Sequence, residues 1–157
     1  MISGERSGVG KTTITLALLA HLKRQNLKVQ SFKVGPDYID PMFHQYVTGK
    51  PCRNLDPVLT SEVYVQQCFE RNIQNVDYAL VEGVMGLFDG VSFSHPPLLP
   101  LKTGEEDCVD GHFPDFASTA HISRLLNLPV LLVLDCSRLS ASVAAIARPR
   151  RSNDDLS

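Results

Sequence analysis

What the chain lacks narrows its class before any motif is read. No apolar run approaches the ~20 residues of a membrane span, and the N-terminus carries no secretory pattern. The sequence therefore predicts a cytoplasmic protein with no membrane partner. It also has no basic field. Lys and Arg number 15 against 17 Asp and Glu, for a formal net charge of −2, which argues against nucleic acid or an anionic surface as partner. The one basic cluster, Arg148, Arg150 and Arg151, is short and is followed by Asp154 and Asp155. Four cysteines, Cys52, Cys68, Cys108 and Cys136, show no CxxC spacing. Cys108 and His112 are close in sequence but lack a second pair, which argues against zinc and for reduced thiols. No internal repeat is visible. A chain of 157 residues with 43% hydrophobic content is long enough for one domain with its own core.

The stretch GERSGVGKTT, from Gly4, organises the rest. Gly8 and Gly10 leave the backbone bare, so it can bend tightly and turn successive N–H groups onto phosphate oxygens. Lys11 can reach terminal phosphates as a point charge, and Thr12 offers a hydroxyl of the kind that ligates Mg²⁺ beside a nucleotide. With Val9 and Thr13, these residues form the expected ATP-phosphate site. The spacing is one residue longer than the common form, with Glu5 at the usual glycine position. It is similar to the variant loop of partitioning ATPases and dethiobiotin synthetases. In the ATPase branch a lysine precedes the glycines, where this chain has Arg6. The plainer alternative is a glycine-rich turn that caps a helix and binds nothing.

Around this loop the pattern alternates helix and strand, which predicts an α/β fold with a parallel sheet. Residues 1–3 form the end of a first strand, short against the usual five or six, so a clipped start is expected. Residues 12–25 read as a helix with Ile14, Leu18, Leu19 and Leu22 on one face, and residues 28–33 as a strand. Residues 34–41, VGPDYIDP, read as a loop at that strand's C-terminal end, the edge where doubly wound sheets bind ligands. There Asp37 and Asp40 are either turn residues or carboxylates facing phosphate through Mg²⁺. A helix over 61–73 is capped by Ser61, and residues 78–82, YALVE, form a buried strand. Its terminal Glu82 is placed to hold Mg²⁺ or its waters, while Asp89 in the following GVMGLFDG is either a site residue or part of an Asp-Gly turn. Residues 91–115, with four prolines, read as a surface insertion. A helix over 116–126, a strand over 130–135 as the clearest buried one, and a helix begun over 139–147 complete the pattern. The polar residues 148–157 are predicted to be disordered.

Taken together, GERSGVGKTTIT, FKVGPDYIDPMFH, NLDP, VEGVMGLFDG, STAHISRLLNLPVLLVLDCSRLS and SVAAIA resemble the cobyrinic acid a,c-diamide synthase family of cobalamin biosynthesis. The resemblance implies a P-loop NTPase-like, doubly wound, mostly parallel sheet with helices on both faces, here incomplete. Residues 1–147 would be part of an ATP-binding synthetase domain. It also implies glutamine-dependent amidation of the c and then the a carboxylate of the corrin ring. ATP-Mg²⁺ phosphorylates the carboxylate, and ammonia displaces phosphate from the acyl phosphate. By position, Gly8, Gly10, Lys11 and Thr12 correspond to the phosphate and Mg²⁺ site. Asp37, Asp40 and Glu82 correspond to the acidic catalytic group, with Thr12, Asp37 and Glu82 toward the metal. Tyr38 and Asp89 fall on the substrate side, Asp89 bearing on which carboxylate reacts. Family members continue into a glutaminase domain with a cysteine nucleophile. That half is missing from this sequence, which predicts a truncated chain without glutamine-dependent turnover of its own. Expected partners are the corrin, ATP, a separate ammonia source and, as an open alternative, a second copy of the chain. The rival readings are a partitioning-type ATPase switch, disfavoured by Arg6, and an inactive remnant.

Overall fold

The computed structural model describes residues 1–91, 115–138 and 140–147. Among the described residues ten elements follow one another: β1 (Ile2–Gly4), α1 (Lys11–Arg24), β2 (Val29–Val34), α2 (Ile39–Thr48), β3 (Arg53–Leu55), α3 (Glu62–Asn72), β4 (Tyr78–Glu82), α4 (Thr119–Leu125), β5 (Leu131–Val133) and α5 (Val143–Ala147). The strands form one sheet in the order β3-β2-β4-β1-β5, and every pairing is parallel. The expected α/β class with a parallel sheet is what forms. The expected insertion, apart from its end residues 91 and 115, lies outside the described residues. So do the 148–157 tail, Cys108, His112 and Leu139.

Alternation along the two central strands separates a packing face from a chemical face. Register pairs Phe32 with Val81, and Lys33 with Glu82. Phe32, Val34 and Val81 point to one side, where Val65, Cys68 and Phe69 of α3 and Ile122 of α4 close an apolar core. The Phe32 and Phe69 rings meet tilted at 5.0 Å, a geometry worth about 1 kcal/mol beyond area burial. Lys33 and Glu82 point to the other side, toward α1 and α2, which pack on one another and on the strands. Helices thus cover both faces, and β2 is buried along its whole length.

Ser61 caps α3 as its sequence predicts, its hydroxyl accepting from Tyr64 N at 3.1 Å. Its replacement by Ala should cost roughly 1 kcal/mol. Four expectations need correction. First, residues 34–41 are not loop throughout. α2 starts at Ile39, because Asp37 Oδ1 accepts from Ile39 N and Asp40 N and so opens the helix. Pro41 then sits in the first turn, where a missing N–H costs nothing, rather than making a second turn. Second, Ile14 is exposed; the buried stripe of α1 is Lys11, Thr15 and Leu19. Third, the apolar run over 130–135 is an edge strand, with Leu131 half exposed, because β5 pairs only with β1 among the described strands. Fourth, the helix expected over 116–126 begins at Thr119, where Ser118 caps it by accepting from His121 N.

Candidate functional site

The loop from β1 to α1 turns on two residues in the left-handed region, Gly8 at φ 75° and Gly10 at φ 100°, where a side chain would strain the backbone. Gly10 is the N-cap of α1 and has no side chain to satisfy the helix's first N–H groups, so these stay available to an anion. Lys11 arches back, donating from Nζ to Arg6 O at 3.0 Å. Burial lowers its pKa first and the nearby Lys33 charge adds to this, against the pull of Glu82, Asp40 and Asp89. The loop thus encloses one cation in a hollow of about 310 Å³ whose walls include Gly8, Gly10, Lys11, Thr12, Lys33 and Glu82. Thr13 also lines it. Val9 turns its side chain onto Gly4 and is not among the residues that line the hollow.

The opposite wall is acidic, and it closes on a residue that the motifs did not single out. Lys33, buried in β2, places Nζ 2.8 Å from Asp40 Oδ2, 3.1 Å from Glu82 Oε1 and 3.9 Å from Asp37 Oδ2, and donates to Gly83 O at 3.0 Å. Burial pulls its pKa down, but the hydrogen bonds and charges of Asp40 and Glu82 outweigh that and raise it. Thr12 donates its single hydroxyl proton to Glu82 Oε1 at 2.6 Å, with Asp40 Oδ2 at 3.3 Å beyond. His44, fully buried on α2, meets the other oxygen, Glu82 Oε2, at 2.7 Å. Glu82 is itself fully buried. Burial alone would raise its pKa, yet the hydrogen bonds from His44 and Thr12 and the charge of Lys33 hold it down at about 2.

The expected residues therefore converge unequally. Gly8, Gly10, Lys11, Thr12, Asp37, Asp40 and Glu82 share the hollow. Asp37 opens α2 with one oxygen and turns the other toward Lys33 at 3.9 Å. Tyr38, next to Asp37 in the chain, stands exposed, 79% accessible, and does not line the hollow. Asp89 is folded into its own loop, accepting from Gly86 N at 2.8 Å. That loop is stitched to the glycine-rich one by Leu87 N donating to Gly4 O, and a Cβ on Gly86 would lie 2.8 Å from Glu5 O. A larger hollow of about 450 Å³ lies behind the loop, and in it Arg6 already pairs with Asp135 at 2.9 Å.

Lys33 and His44 went unread for different reasons. A lysine two residues ahead of the Gly35-Pro36 that stops a strand is a usable signal. His44 carried none without α2, and α2 was hidden by Pro41. Among the described residues no cluster of three or more His, Cys, Asp or Glu side chains forms a metal cage. One hydroxyl beside carboxylates suits Mg²⁺, which keeps waters and takes the rest of its shell from phosphates, so the donor set fits.

A family model described as CobQ/CobB/MinD/ParA nucleotide binding domain matches residues 1–156. The chain belongs to this family. Among relatives of this nucleotide binding domain, a cobyrinate a,c-diamide synthase from Synechocystis sp. is 60% identical over 151 residues. Another from Gloeobacter violaceus is 52% identical over 145 residues, and a hydrogenobyrinate a,c-diamide synthase from Mycobacterium tuberculosis is 41% identical over 145 residues. These alignments cover 96%, 92% and 92% of this chain and 28% of each relative, so the chain spans a little over a quarter of their length. The family resemblance read from the motifs is borne out. Among the described residues no helix is long and apolar enough to cross a membrane.

Proposed function

We propose that this chain binds ATP with Mg²⁺ over residues 8–13 and uses it to activate a carboxylate of a corrin such as cobyrinate for amide formation, in the cytoplasm. The observation that supports this best is the meeting, at one sheet edge, of a phosphate loop with Lys11, Lys33 and three carboxylates. The names of the relatives supply the substrate class.

Phosphoryl transfer to a carboxylate needs no protein nucleophile; it needs two anions brought together and their charge neutralised. Bound Mg²⁺ supplies part of that neutralisation, and Thr12, Asp37 and Glu82 are the residues to hold it, with Asp40 beside Thr12. Lys11 faces the terminal phosphates. Lys33, at the meeting point of Asp40 and Glu82, spends its three N–H donors on them and on Gly83 O, so it neutralises the acidic wall that faces the phosphates. Asp37, Asp40 and Glu82 fix where these cations sit. The exposed Tyr38 is a surface for the substrate, and Asp89 braces its own loop and bears on which carboxylate reacts. The activated carboxyl is an acyl phosphate, and nitrogen drawn from glutamine reaches it from a glutaminase partner.

Calorimetric titration of the full chain with Mg-ATP tests the reading. The parent should bind, and Lys11→Ala should bind at least tenfold more weakly, a loss of at least ~1.4 kcal/mol. Saturating ligand should also raise the melting temperature of the parent, since ligand at a hundred times Kd adds about 2.7 kcal/mol. With ammonium salt as nitrogen source, phosphate release should depend on added cobyrinate. ATP-driven self-association that ignores cobyrinate would replace this reading with the switch ATPase.

A further inference from the structure

Behind Glu82 lies a hydrogen-bonded chain that no phosphate or substrate group needs to touch. Glu82 ends β4, His44 comes from the second turn of α2, and Cys52 stands just before β3. His44 Nε2 is 2.7 Å from Glu82 Oε2, and Cys52 Sγ is 3.3 Å from His44 Nδ1. Three segments remote in sequence thus meet in a line that ends on a proposed metal-holding carboxylate.

We propose that His44 is the positioning residue for Glu82, with Cys52 fixing the imidazole from behind. A carboxylate has two oxygens and a broad torsion about its last bond. Oε1 is held by Thr12 and Lys33 on the side of the hollow, and among the described residues Oε2 is held by His44 alone. Without that donor, Oε2 would be a buried acceptor with no partner. The carboxylate would then rotate to share both oxygens with Lys33 and lose its aim at Thr12. The Cys52 thiol, which burial pushes up to about 11, stays protonated and is the donor that this assignment gives to Nδ1, 3.3 Å away. Nε2 then carries the ring proton and donates it to Glu82. This is the logic by which groups behind a metal ligand set its direction, and their loss commonly costs 10- to 100-fold in metal affinity. The inference rests on the reading that Glu82 serves Mg²⁺ beside ATP.

The test is nucleotide binding by the full chain with Mg²⁺ and with EDTA, in the parent, His44→Phe and His44→Gln. The parent should bind ATP more tightly with Mg²⁺. His44→Phe, which fills the space without a donor, should lower that Mg²⁺ enhancement about tenfold and leave ATP binding in EDTA unchanged. His44→Gln, whose amide N–H reaches the same oxygen, should recover most of it. A merely structural role for His44 would weaken both conditions equally. An undiminished enhancement in His44→Phe overturns the proposal, while no enhancement in the parent overturns the nucleotide reading beneath it. Should His44→Phe fail to fold, ¹⁵N-histidine spectra of the parent decide. A protonated Nε2 on His44 is expected, and an unprotonated Nε2 overturns the proposal.

Discussion

Glu82→Gln is expected to destabilise the chain by about 3 kcal/mol at neutral pH, and to flatten its stability below pH 4.5. The change keeps shape and removes charge. A carboxylate accepts at both oxygens, whereas an amide accepts at one. In the parent, Oε1 takes Thr12 and Lys33 while Oε2 takes His44. Whichever way the amide is turned, its N–H₂ meets a donor in a fully buried place. Breaking a buried charged network by removing one partner commonly costs 3–5 kcal/mol. The pH dependence follows from the same contacts. The Glu82 carboxyl ionises at about 2 in the folded chain against 4.5 when unperturbed. A depressed value means that the folded state holds the charged form more tightly, so the contribution is fully present above pH 4.5. It is lost progressively as pH falls from 4.5 toward 2. At 1.36 kcal/mol per unit, roughly 3 kcal/mol is at stake. Urea melts of parent and variant from pH 7 to pH 3 measure it. The parent curve should fall toward the variant's across that window, and parallel curves would show that Glu82 carries no such linkage.

The residues that could be read early are those whose role is written in local pattern. Gly8, Gly10, Lys11 and Thr12 fall within five residues, and the tight turn into α1 expected of them forms on the positive φ of Gly8 and Gly10. YALVE is a strand ending in an acid, although only Val81 and Glu82 of it are buried and Tyr78 is exposed, and Ser61 ahead of an apolar-periodic run caps a helix by local hydrogen bonding. What escaped reading depends on contacts distant in sequence. Leu131 belongs to a run as apolar as any core strand, and only the strand order leaves it half exposed at an edge. Asp37 and Pro41 each favour a turn in isolation. They open a helix here because Asp37 accepts two N–H groups and Asn54 Nδ2 donates to its carbonyl at 2.7 Å from the neighbouring strand. With the loop reading ending at Pro41 and residues 42–48 assigned to no element, His44 had no face to sit on, and the second oxygen of Glu82 had no visible partner. The candidate site was thus legible on its loop side and dark on its inner side.

That inner side gives the other large expected effect. Lys33→Met should cost 3–5 kcal/mol in the absence of ligand, because it leaves Glu82, Asp40 and Asp37 facing one another with their shared counter-ion gone. Methionine fills nearly the same length of chain, so packing against β2 and β4 survives and the loss reports charge. Two further measurements separate this from ordinary core damage. Removing Glu82 as well should cost less than the sum of the single changes, since Glu82→Gln relieves part of the repulsion that Lys33→Met creates. Contacting charged pairs of this kind couple by 0.5–3 kcal/mol. Magnesium chloride without nucleotide should also raise the melting temperature of Lys33→Met more than that of the parent. In the parent the ammonium already neutralises the three carboxylates, and a divalent ion gains little by competing with it. In the variant the same carboxylates form an uncompensated acidic group that suits a hard cation. Equal magnesium responses in the two proteins, with additive losses in the double variant, would mean that Lys33 is a packing residue and that the carboxylates do not act as one group.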